Sequence, residues 1–476
     1  MSASRARRLD VYILLNTVYP YVRNPEKVRL HSSSCDVTRR HAAMRELRVR
    51  HQNYAWGARG NSAVRALASA NALRFDDALD DDDSTPFAEL WAGTHSSGMS
   101  TTKRDDDEGG DAMETLRSYV DANAMRALGE TCVKRFGTTR DVPFLMKMLS
   151  VSTALSIQAH PDKETAKRLH ATNPEQYRDE NHKPEMALCA SERFEALSGF
   201  ERAETVKRRL EAHEELRRAV GDEDAVEALK RAVEDGGGDE ERVKSAFKRV
   251  FTALMTADAG RVAACAEAMA TRLRGEGRRE DDVDADVSAL FLRLCEQYPG
   301  DVGVFCAYVL NYVVLRPGQA MYMAANEPHA YLSGECVEVM ATSDNVVRAG
   351  LTPKFRDVHV LCSMLTYTLG APDVLEGEVI DQCTRRYAPP FEEFLLDVVA
   401  CDPGVAYGVA PRTGPSIWII HRGRAVVSSA TNKDRPPIDV APGAVLFVDA
   451  GEELSVVVDA AADARLLAYV STTNIA

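Results

Sequence analysis

Several features that would assign this chain of 476 residues to familiar functional classes are missing from it. No stretch approaches the ~20 consecutive apolar residues of a transmembrane helix. The ten cysteines include no CxxC pair and no dense spacing, which argues against a zinc ribbon and predicts reduced thiols in an intracellular protein. No Walker A motif or Rossmann fingerprint occurs in context, so a nucleotide cofactor is not expected.

Positive charge is also scarce, because 58 Lys and Arg face 72 Asp and Glu, giving a net charge of −14. This balance argues against a general nucleic-acid or anionic-membrane binder. The apolar fraction of 45% is normal for a globular protein. A chain of this length suggests about two or three domains.

Residues 1–43 differ from the rest, with eight basic residues against three acidic ones. Such an acid-poor extension is compatible with an organelle transit peptide. Two other interpretations compete with this one, namely a disordered tail and an upstream gene-model error that leaves Met44 as the true start. We expect a cytoplasmic protein, with organelle targeting by residues 1–43 as the alternative.

The segment Ser156–His160 alternates polar and apolar residues and predicts a β-strand. In an extended strand Ser156, Gln158 and His160 point to one face, and Ile157 and Ala159 point to the other. Polar groups on an interior face need partners, so Gln beside His suggests a metal or a polar ligand. The alternative for each histidine is a satisfied core or surface residue.

Glu185, in the alternating triplet Lys183–Glu185, and His329 extend this pattern. With Gln158 and His160 they make a plausible set of two nitrogen and two oxygen ligands. Zinc binds His and carboxylate ligands, and a catalytic zinc site leaves one position open to water or substrate. Gln is an unusual member, since a neutral amide oxygen is a weaker donor than a carboxylate.

Seven segments in order resemble the type I mannose-6-phosphate isomerase (phosphomannose isomerase) family of the cupin superfamily. They are Asn53–Gly57, Ala88–His95, Val142–Lys147, Ser156–Lys163, Asn181–Met186, Pro328–Gly334 and Thr342–Lys354. The resemblance implies one Zn²⁺ per chain, held by Gln158, His160, Glu185 and His329. It also implies an essential arginine at Arg348 and a small-molecule hexose 6-phosphate substrate.

An aldose–ketose isomerase needs a base that moves a proton between carbons 2 and 1, an electrophile, and groups that open the ring and hold the phosphate. Glu338 is the candidate base, because an apolar strand would raise its pKa; the alternative is a structural carboxylate paired with Arg348 or a lysine. Arg348 suits anion or enediolate stabilisation, and Lys183 suits proton transfer or substrate contact. The other candidates for substrate contacts are Ser156, Lys147, Lys354 and Asp344. His95 is either a ring-opening group or a structural histidine.

The predicted fold is mainly β with an α-helical insertion. The expected order is the extension (1–43), a catalytic cupin or jelly-roll domain (44–200), a helical domain (201–304), the rest of the catalytic cupin (305–371) and a C-terminal cupin-like domain (372–476). Apolar spacing places Val206, Leu210 and Leu216 on one helix face. The Asp-rich stretches 76–83 and 105–111 are expected to be exposed loops.

These observations predict a zinc-dependent mannose-6-phosphate isomerase that works through an enediol, supplies mannose for GDP-mannose, and is a monomer without nucleic-acid or membrane partners. One alternative is a related isomerase with another sugar phosphate as substrate. Another is a cupin that binds a sugar or a metal without turnover. Ala58 and Gln319 depart from the family pattern, where lysine and glutamate are usual.

Overall fold

The computed structural model describes residues 43–79, 82–104, 112–235, 239–276, 283–433 and 435–475. The extension up to residue 42 and the acidic stretch 105–111 lie outside the described residues. Elements are numbered along the chain. Within the described ranges the fold is mainly β with a helical insertion, as predicted, and no helix there is long and apolar enough to cross a membrane.

The largest sheet carries the candidate site. Its eleven strands among the described residues are β2 (Arg50–Gln52), β3 (Glu89–Ala92), β6 (Phe144–Val151), β7 (Ile157–Ala159), β8 (Glu185–Cys189), β9 (Phe194–Phe200), β10 (Leu310–Leu315), β11 (Ala320–Met323), β12 (His329–Ala341), β13 (Val347–Gly350) and β14 (Val374–Leu375). The long strand β12 pairs with β6 and β8 at one end and with β7 and β9 at the other. Residues far apart in sequence therefore meet along β12.

The two faces of the large sheet differ in chemistry. On β6 and β12, Met146, Met148, Val337 and Val339 are fully buried in an apolar core that also contains residues of the C-terminal domain such as Phe447. Their neighbours in the alternation, which include Lys147 and Glu338, point to the other face. One face therefore joins the two β domains, and the other places Lys147 and Glu338 among buried apolar neighbours such as Leu145 and Met340.

Six helices lie between β9 and β10 within the described ranges. They are α6 (Ala203–Ala212), α7 (Glu214–Val220), α8 (Glu223–Glu234), α9 (Glu240–Met255), α10 (Ala259–Glu276) and α11 (Ala285–Gln297). The expectation of one helix containing Val206, Leu210 and Leu216 is wrong, because the extended backbone at His213 ends α6 and Leu216 lies in α7. No helix is expected from the sequence at α10, because alanines on its exposed face obscure the apolar stripe that Val262, Ala266 and Met269 form.

The remaining short elements frame the large sheet. They are α1 (Ala63–Leu73), the 3₁₀ turn Ser96–Gly98, β4 (Thr101–Lys103), β5 (Met113–Thr115), α2 (Leu116–Ala122), α3 (Ala124–Ala127), α4 (Glu130–Phe136), α5 (Lys163–Thr172), the 3₁₀ helix Val302–Tyr308 and α12 (Val358–Met364). Ser62, Thr115 and Asp162 cap α1, α2 and α5 with side-chain oxygens that accept backbone N–H bonds.

The C-terminal domain is built from a seven-stranded and a four-stranded sheet among the described residues. Its strands are β15 (Glu378–Val379), β16 (Thr384–Tyr387), β17 (Leu395–Cys401), β18 (Ala406–Val409), β19 (Ser416–Arg422), β20 (Ala425–Ser429), β21 (Ile438–Val440), β22 (Val445–Val448), β23 (Leu454–Val458) and β24 (Leu466–Thr472). The seventh strand of the larger sheet is β1 (Met44–Glu46), which pairs with β22. The described part of the chain thus begins beside β22, and β14 pairs back to β11 beyond the predicted boundary at 371.

Cys383 and Cys401 form a disulfide in this domain, so the expectation of uniformly reduced thiols is wrong at this pair. The pairing of β16 with β17 brings their Cα atoms to 5.1 Å. The sequence could not reveal this proximity, because the two cysteines are 18 residues apart without a diagnostic motif.

Candidate metal centre and active-site cavity

Strand register brings the predicted ligands together. Gln158 on β7 lies directly opposite His329 on β12 and, on its other side, opposite Arg348 on β13. Directly opposed residues of antiparallel strands share a face and are near neighbours. Ile157 and Ala159 are fully buried on the other face, as the alternation predicted.

His160, Glu185 and His329 converge at one point. His160 Nε2 lies 3.3 Å from one carboxylate oxygen of Glu185, and His329 Nε2 lies 3.2 Å from the other. One ligand atom from each residue lies within 4.8 Å of the others, and all three residues are buried. A buried group of two imidazoles and a carboxylate is a donor set that suits zinc.

The backbone fixes both rings for metal binding. His160 Nδ1 bonds to the Asn345 carbonyl at 2.7 Å, and His329 Nδ1 bonds to the Glu327 carbonyl at 3.1 Å. A carbonyl can only accept, so each Nδ1 carries the proton and each Nε2 presents its lone pair. Both Nε2 atoms and one oxygen of Glu185 are buried without a hydrogen-bond partner among the described residues, and a metal ion would satisfy them.

The protonation states also suit a metal. Burial lowers the pKa of His160 to about 4 although Glu185 acts in the opposite direction, so the ring is neutral at pH 7. Burial alone would raise the pKa of Glu185, but Lys183, with Nζ 3.0 Å from its carboxylate, and His160 hold that pKa well below its ordinary value. His160 and Glu185 are therefore in their deprotonated forms at neutral pH, which metal binding requires.

A cavity of about 780 Å³ opens above this centre. Nine of the eleven residues that the sequence singled out as ligands, catalytic groups or substrate contacts line it. They are Lys147, Ser156, Gln158, Lys183, Glu185, Glu338, Asp344, Arg348 and Lys354, and His95 lines it as well. The two remaining residues, His160 and His329, lie behind the lining as partners of Glu185. Ala58 and Gln319 are not part of this lining.

Glu338 and Lys147 form a buried ion pair in the cavity wall. Lys147 Nζ lies 2.8 Å from Glu338 and 3.9 Å from Glu89, and its side chain is 7% exposed. Burial alone would lower the pKa of Lys147, but Glu338 and Glu89 outweigh it and raise that pKa. The structure therefore pairs Glu338 with a lysine, which was the alternative to a catalytic base, and engages Lys147 with carboxylates.

Sequence reasoning missed Glu89 and Trp91, which complete this cluster. The Trp91 indole donates a hydrogen bond to Glu89, and Lys147 Nζ lies 4.8 Å from the Trp91 ring centre. Burial raises the pKa of Glu89 in spite of Lys147. The alternation Glu89–Leu90–Trp91, which places both polar groups on one face, was the available signal.

The cavity rim differs in charge from its floor. His95 Nε2 lies 3.3 Å from Asp344, and this hydrogen bond lowers the pKa of Asp344. Burial lowers the pKa of Arg348, yet a guanidinium stays charged at pH 7. Among the described residues no carboxylate forms an ion pair with Arg348 or with the exposed Lys354. Two cations are thus left for an anionic ligand on a chain of net charge −14.

Comparisons with known proteins agree with this geometry. Residues 44–203 match the family model of the phosphomannose isomerase type I catalytic domain, and residues 220–310 match that of its helical insertion domain. Mannose-6-phosphate isomerase 1 of Arabidopsis thaliana is 43% identical over 426 residues, which are 89% of this chain and 93% of that protein. The mannose-6-phosphate isomerase of Saccharomyces cerevisiae is 35% identical over 413 residues, 84% of this chain and 92% of that one.

Solved structures give the same result. The structure described as mannose 6-phosphate isomerase in its holo, zinc-bound form aligns with a TM-score of 0.70 at 25% identity and covers 91% of this chain and 100% of that one. A mutant phosphomannose isomerase from Salmonella typhimurium aligns with a TM-score of 0.72 at 26% identity and the same coverage.

Proposed function

The chain belongs to the type I phosphomannose isomerase family, and on that premise we propose that it is a zinc-dependent enzyme that interconverts mannose 6-phosphate and fructose 6-phosphate. Relatives that it matches over most of their length bear that enzyme's name. The observation that carries the proposal is the convergence of three buried ligand atoms, from His160, Glu185 and His329, which lack hydrogen-bond partners among the described residues, in the wall of a cavity that Arg348 also lines.

The zinc ion would be held by His160, Glu185 and His329, with Gln158 as the fourth ligand. When bound, zinc acts as a Lewis acid that polarises the sugar oxygens without redox change. Gln158 reaches the cavity from the position between His329 and Arg348. It would therefore supply a neutral oxygen beside the Glu185 carboxylate and the two imidazoles.

Glu338 is the proposed base for the hydrogen shift. Its carboxylate faces the cavity and is 4% exposed, so little water competes for the proton that it carries. The base takes the proton from carbon 2 of the open-chain aldose and returns it to carbon 1, passing through an enediol. Lys147, at 2.8 Å, holds the carboxylate in place.

Arg348 and Lys183 are the proposed partners for negative charge on the enediol oxygens. Arg348 has no carboxylate partner within the described residues, so its charge is available to a developing oxyanion. Lys183 bonds to Glu185 and lies at the cavity floor, where it can contact the sugar hydroxyls. The His95–Asp344 pair is positioned to exchange the proton that ring opening requires.

The phosphate would bind at the rim, where Lys354 and Ser156 line the cavity. Lys354 is exposed and Ser156 half-buried, which suits a group that enters last and stays partly hydrated. We also propose that the product supports GDP-mannose synthesis and that the enzyme is a cytoplasmic monomer.

Replacing Glu338 with glutamine tests the mechanism. Glu338→Gln keeps size and hydrogen bonding but cannot accept the carbon-bound proton, so kcat should fall about 10²–10⁴-fold while zinc content is unchanged. The parent should exchange the hydrogen at carbon 2 for deuterium in D₂O, and the variant should not. The matched control is Glu192→Gln, an exposed carboxylate outside the cavity. Unchanged exchange in Glu338→Gln would assign the base elsewhere, and no exchange by a zinc-loaded parent would favour a binding cupin.

A further inference from the structure

The loop Leu351–Lys354 forms a thin wall of the active-site cavity. On its far side lies a second cavity of about 500 Å³, between this loop and the ends of helices α9 and α11. Thr352, Pro353 and Tyr298 line both cavities. Leu351 is buried in the core, but Thr352 and Pro353 have open space on two sides, so side-chain packing contributes little to holding the part of the loop that leads to Lys354.

The loop also begins in a strained conformation. Leu351 has φ +53°, a left-handed backbone that non-glycine residues rarely adopt. Such a conformation persists only when the surrounding structure imposes it, and it is found most often at functional sites. Something outside the loop must therefore fix the backbone at this point.

Asp301 supplies hydrogen bonds that fix the backbone at Leu351. Its Oδ1 accepts hydrogen bonds from the Leu351 N–H at 2.8 Å and from the Gly303 N–H at 2.7 Å, and its Oδ2 accepts from the Thr352 N–H at 3.3 Å. Arg356 adds a bond to the Ala349 carbonyl at 3.3 Å. One carboxylate thus joins the end of the helical insertion to the strained start of the substrate loop.

Two glycines bring the segments close enough for so short a side chain. A Cβ on Gly303 would lie 2.5 Å from the Leu351 nitrogen, and a Cβ on Gly350 would lie 2.6 Å from the Gly303 Cα. Contacts this short exclude any side chain at either position without movement of backbone. The close approach of the two segments and the hydrogen bonds of the Asp301 carboxylate together fix the start of the loop.

We propose that Asp301 is a positioning residue that holds the loop Leu351–Lys354, and through it Lys354, in the geometry that binds the phosphate of the substrate. This inference rests on the proposed function. Glu338 and the metal ligands lie on other segments, and Arg348 is held in β13 by its pairing with Gln158 on β7, so loosening the loop should weaken substrate binding more than the hydrogen shift. The expected signature is a raised KM with kcat nearly unchanged.

Two substitutions at Asp301 should raise KM by different amounts. Asp301→Ala removes all three hydrogen bonds and should raise KM for mannose 6-phosphate about ten-fold, because hydrogen bonds to a charged acceptor are the strong ones. Asp301→Asn keeps an oxygen at the Oδ1 position but cannot accept from Thr352, so KM should rise about two- to three-fold. The matched control is Asp222→Asn, since Asp222 caps α8 far from the cavity and Asn caps equally well.

A double-mutant cycle with Lys354→Ala separates positioning from general destabilisation. If Asp301 acts through Lys354, the double variant should have nearly the kcat/KM of Lys354→Ala alone, with zinc content unchanged. Additive losses, or an unchanged KM in both Asp301 variants, would refute the inference. If Asp301→Ala does not fold, the KM of Asp301→Asn alone tests the inference: a rise of about two- to three-fold supports it, and an unchanged value refutes it. A zinc-loaded parent without turnover would instead refute the proposed function, and that result is obtained before any variant is assayed.

Discussion

The buried cluster of Lys147, Glu338 and Glu89 gives the sharpest stability prediction. Lys147→Met keeps the length and the packing on Trp91 but removes the cation that lies 2.8 Å from Glu338 and 3.9 Å from Glu89. Removing one partner of a buried pair leaves an uncompensated charge, which costs about 3–5 kcal/mol of unfolding free energy. Two carboxylates lose the same partner here, so a value at the upper end is expected.

The matched control is Lys134→Met. Lys134 pairs with Glu130 on a helix surface, where the two side chains are 72% and 66% exposed. Exposed pairs contribute only about 0–1 kcal/mol, so this control should be close to the parent. Both variants are compared with the parent by chemical denaturation at saturating zinc.

The pH dependence provides a second check. Without Lys147, which acts to lower the pKa of the buried Glu89, that pKa must rise further above its ordinary value, and folded Lys147→Met then holds a proton that the unfolded chain releases. Its stability should fall relative to the parent as pH rises from 5 to 8, by about 1.4 kcal/mol per pH unit for one proton until the folded pKa is passed. Equal losses for Lys147→Met and Lys134→Met, or a difference from the parent that is independent of pH, would refute the reasoning.

Two further predictions concern the domain contact and the metal. Burial alone would raise the pKa of Glu393, but the bond to His182 at 2.6 Å holds it at about 2. This stabilisation, about 2–3 kcal/mol, is present above pH 4.5 and is lost as pH falls towards 2. The free energy of unfolding of Glu393→Gln, measured by denaturation, should therefore lie below that of the parent at pH 7, and the difference should be smaller at pH 4. The control Glu392→Gln, at an exposed position, should show no such difference at either pH. His329→Ala should lower zinc affinity at least about 100-fold in a chelator competition, with little change in circular dichroism. The control His359→Ala, at an exposed position, should retain its zinc. Full zinc content in His329→Ala would contradict the proposed ligand set.

The parts of the site that lie on strands with alternating polar and apolar residues could be predicted from the sequence. The two-residue repeat of a β-strand predicts that Gln158 lies on the opposite face of β7 from the apolar Ile157 and Ala159, and both of these are fully buried. The helical insertion was also recognisable, since charged amphipathic segments separate it from the β regions. The family resemblance supplied the assignment of roles to the residues around Gln158.

The partnerships between distant residues could not be predicted. Lys147 meets Glu338 because β6 pairs with β12 in a register that no local pattern encodes. Asp301 reaches Leu351 across 50 positions, through a close approach of two glycines. Charge and hydrogen-bond pairing of this kind depends on tertiary register, whereas periodicity reports only which face a residue occupies.

The measurement that tests the account most directly is turnover of mannose 6-phosphate to fructose 6-phosphate by the purified chain, before and after chelation and again after zinc is returned. We expect activity in the zinc-loaded protein, its loss on chelation, and its recovery in proportion to zinc bound, up to one ion per chain. A folded, zinc-loaded chain that fails to convert the sugar phosphate, or one whose activity survives complete removal of metal, would contradict the account.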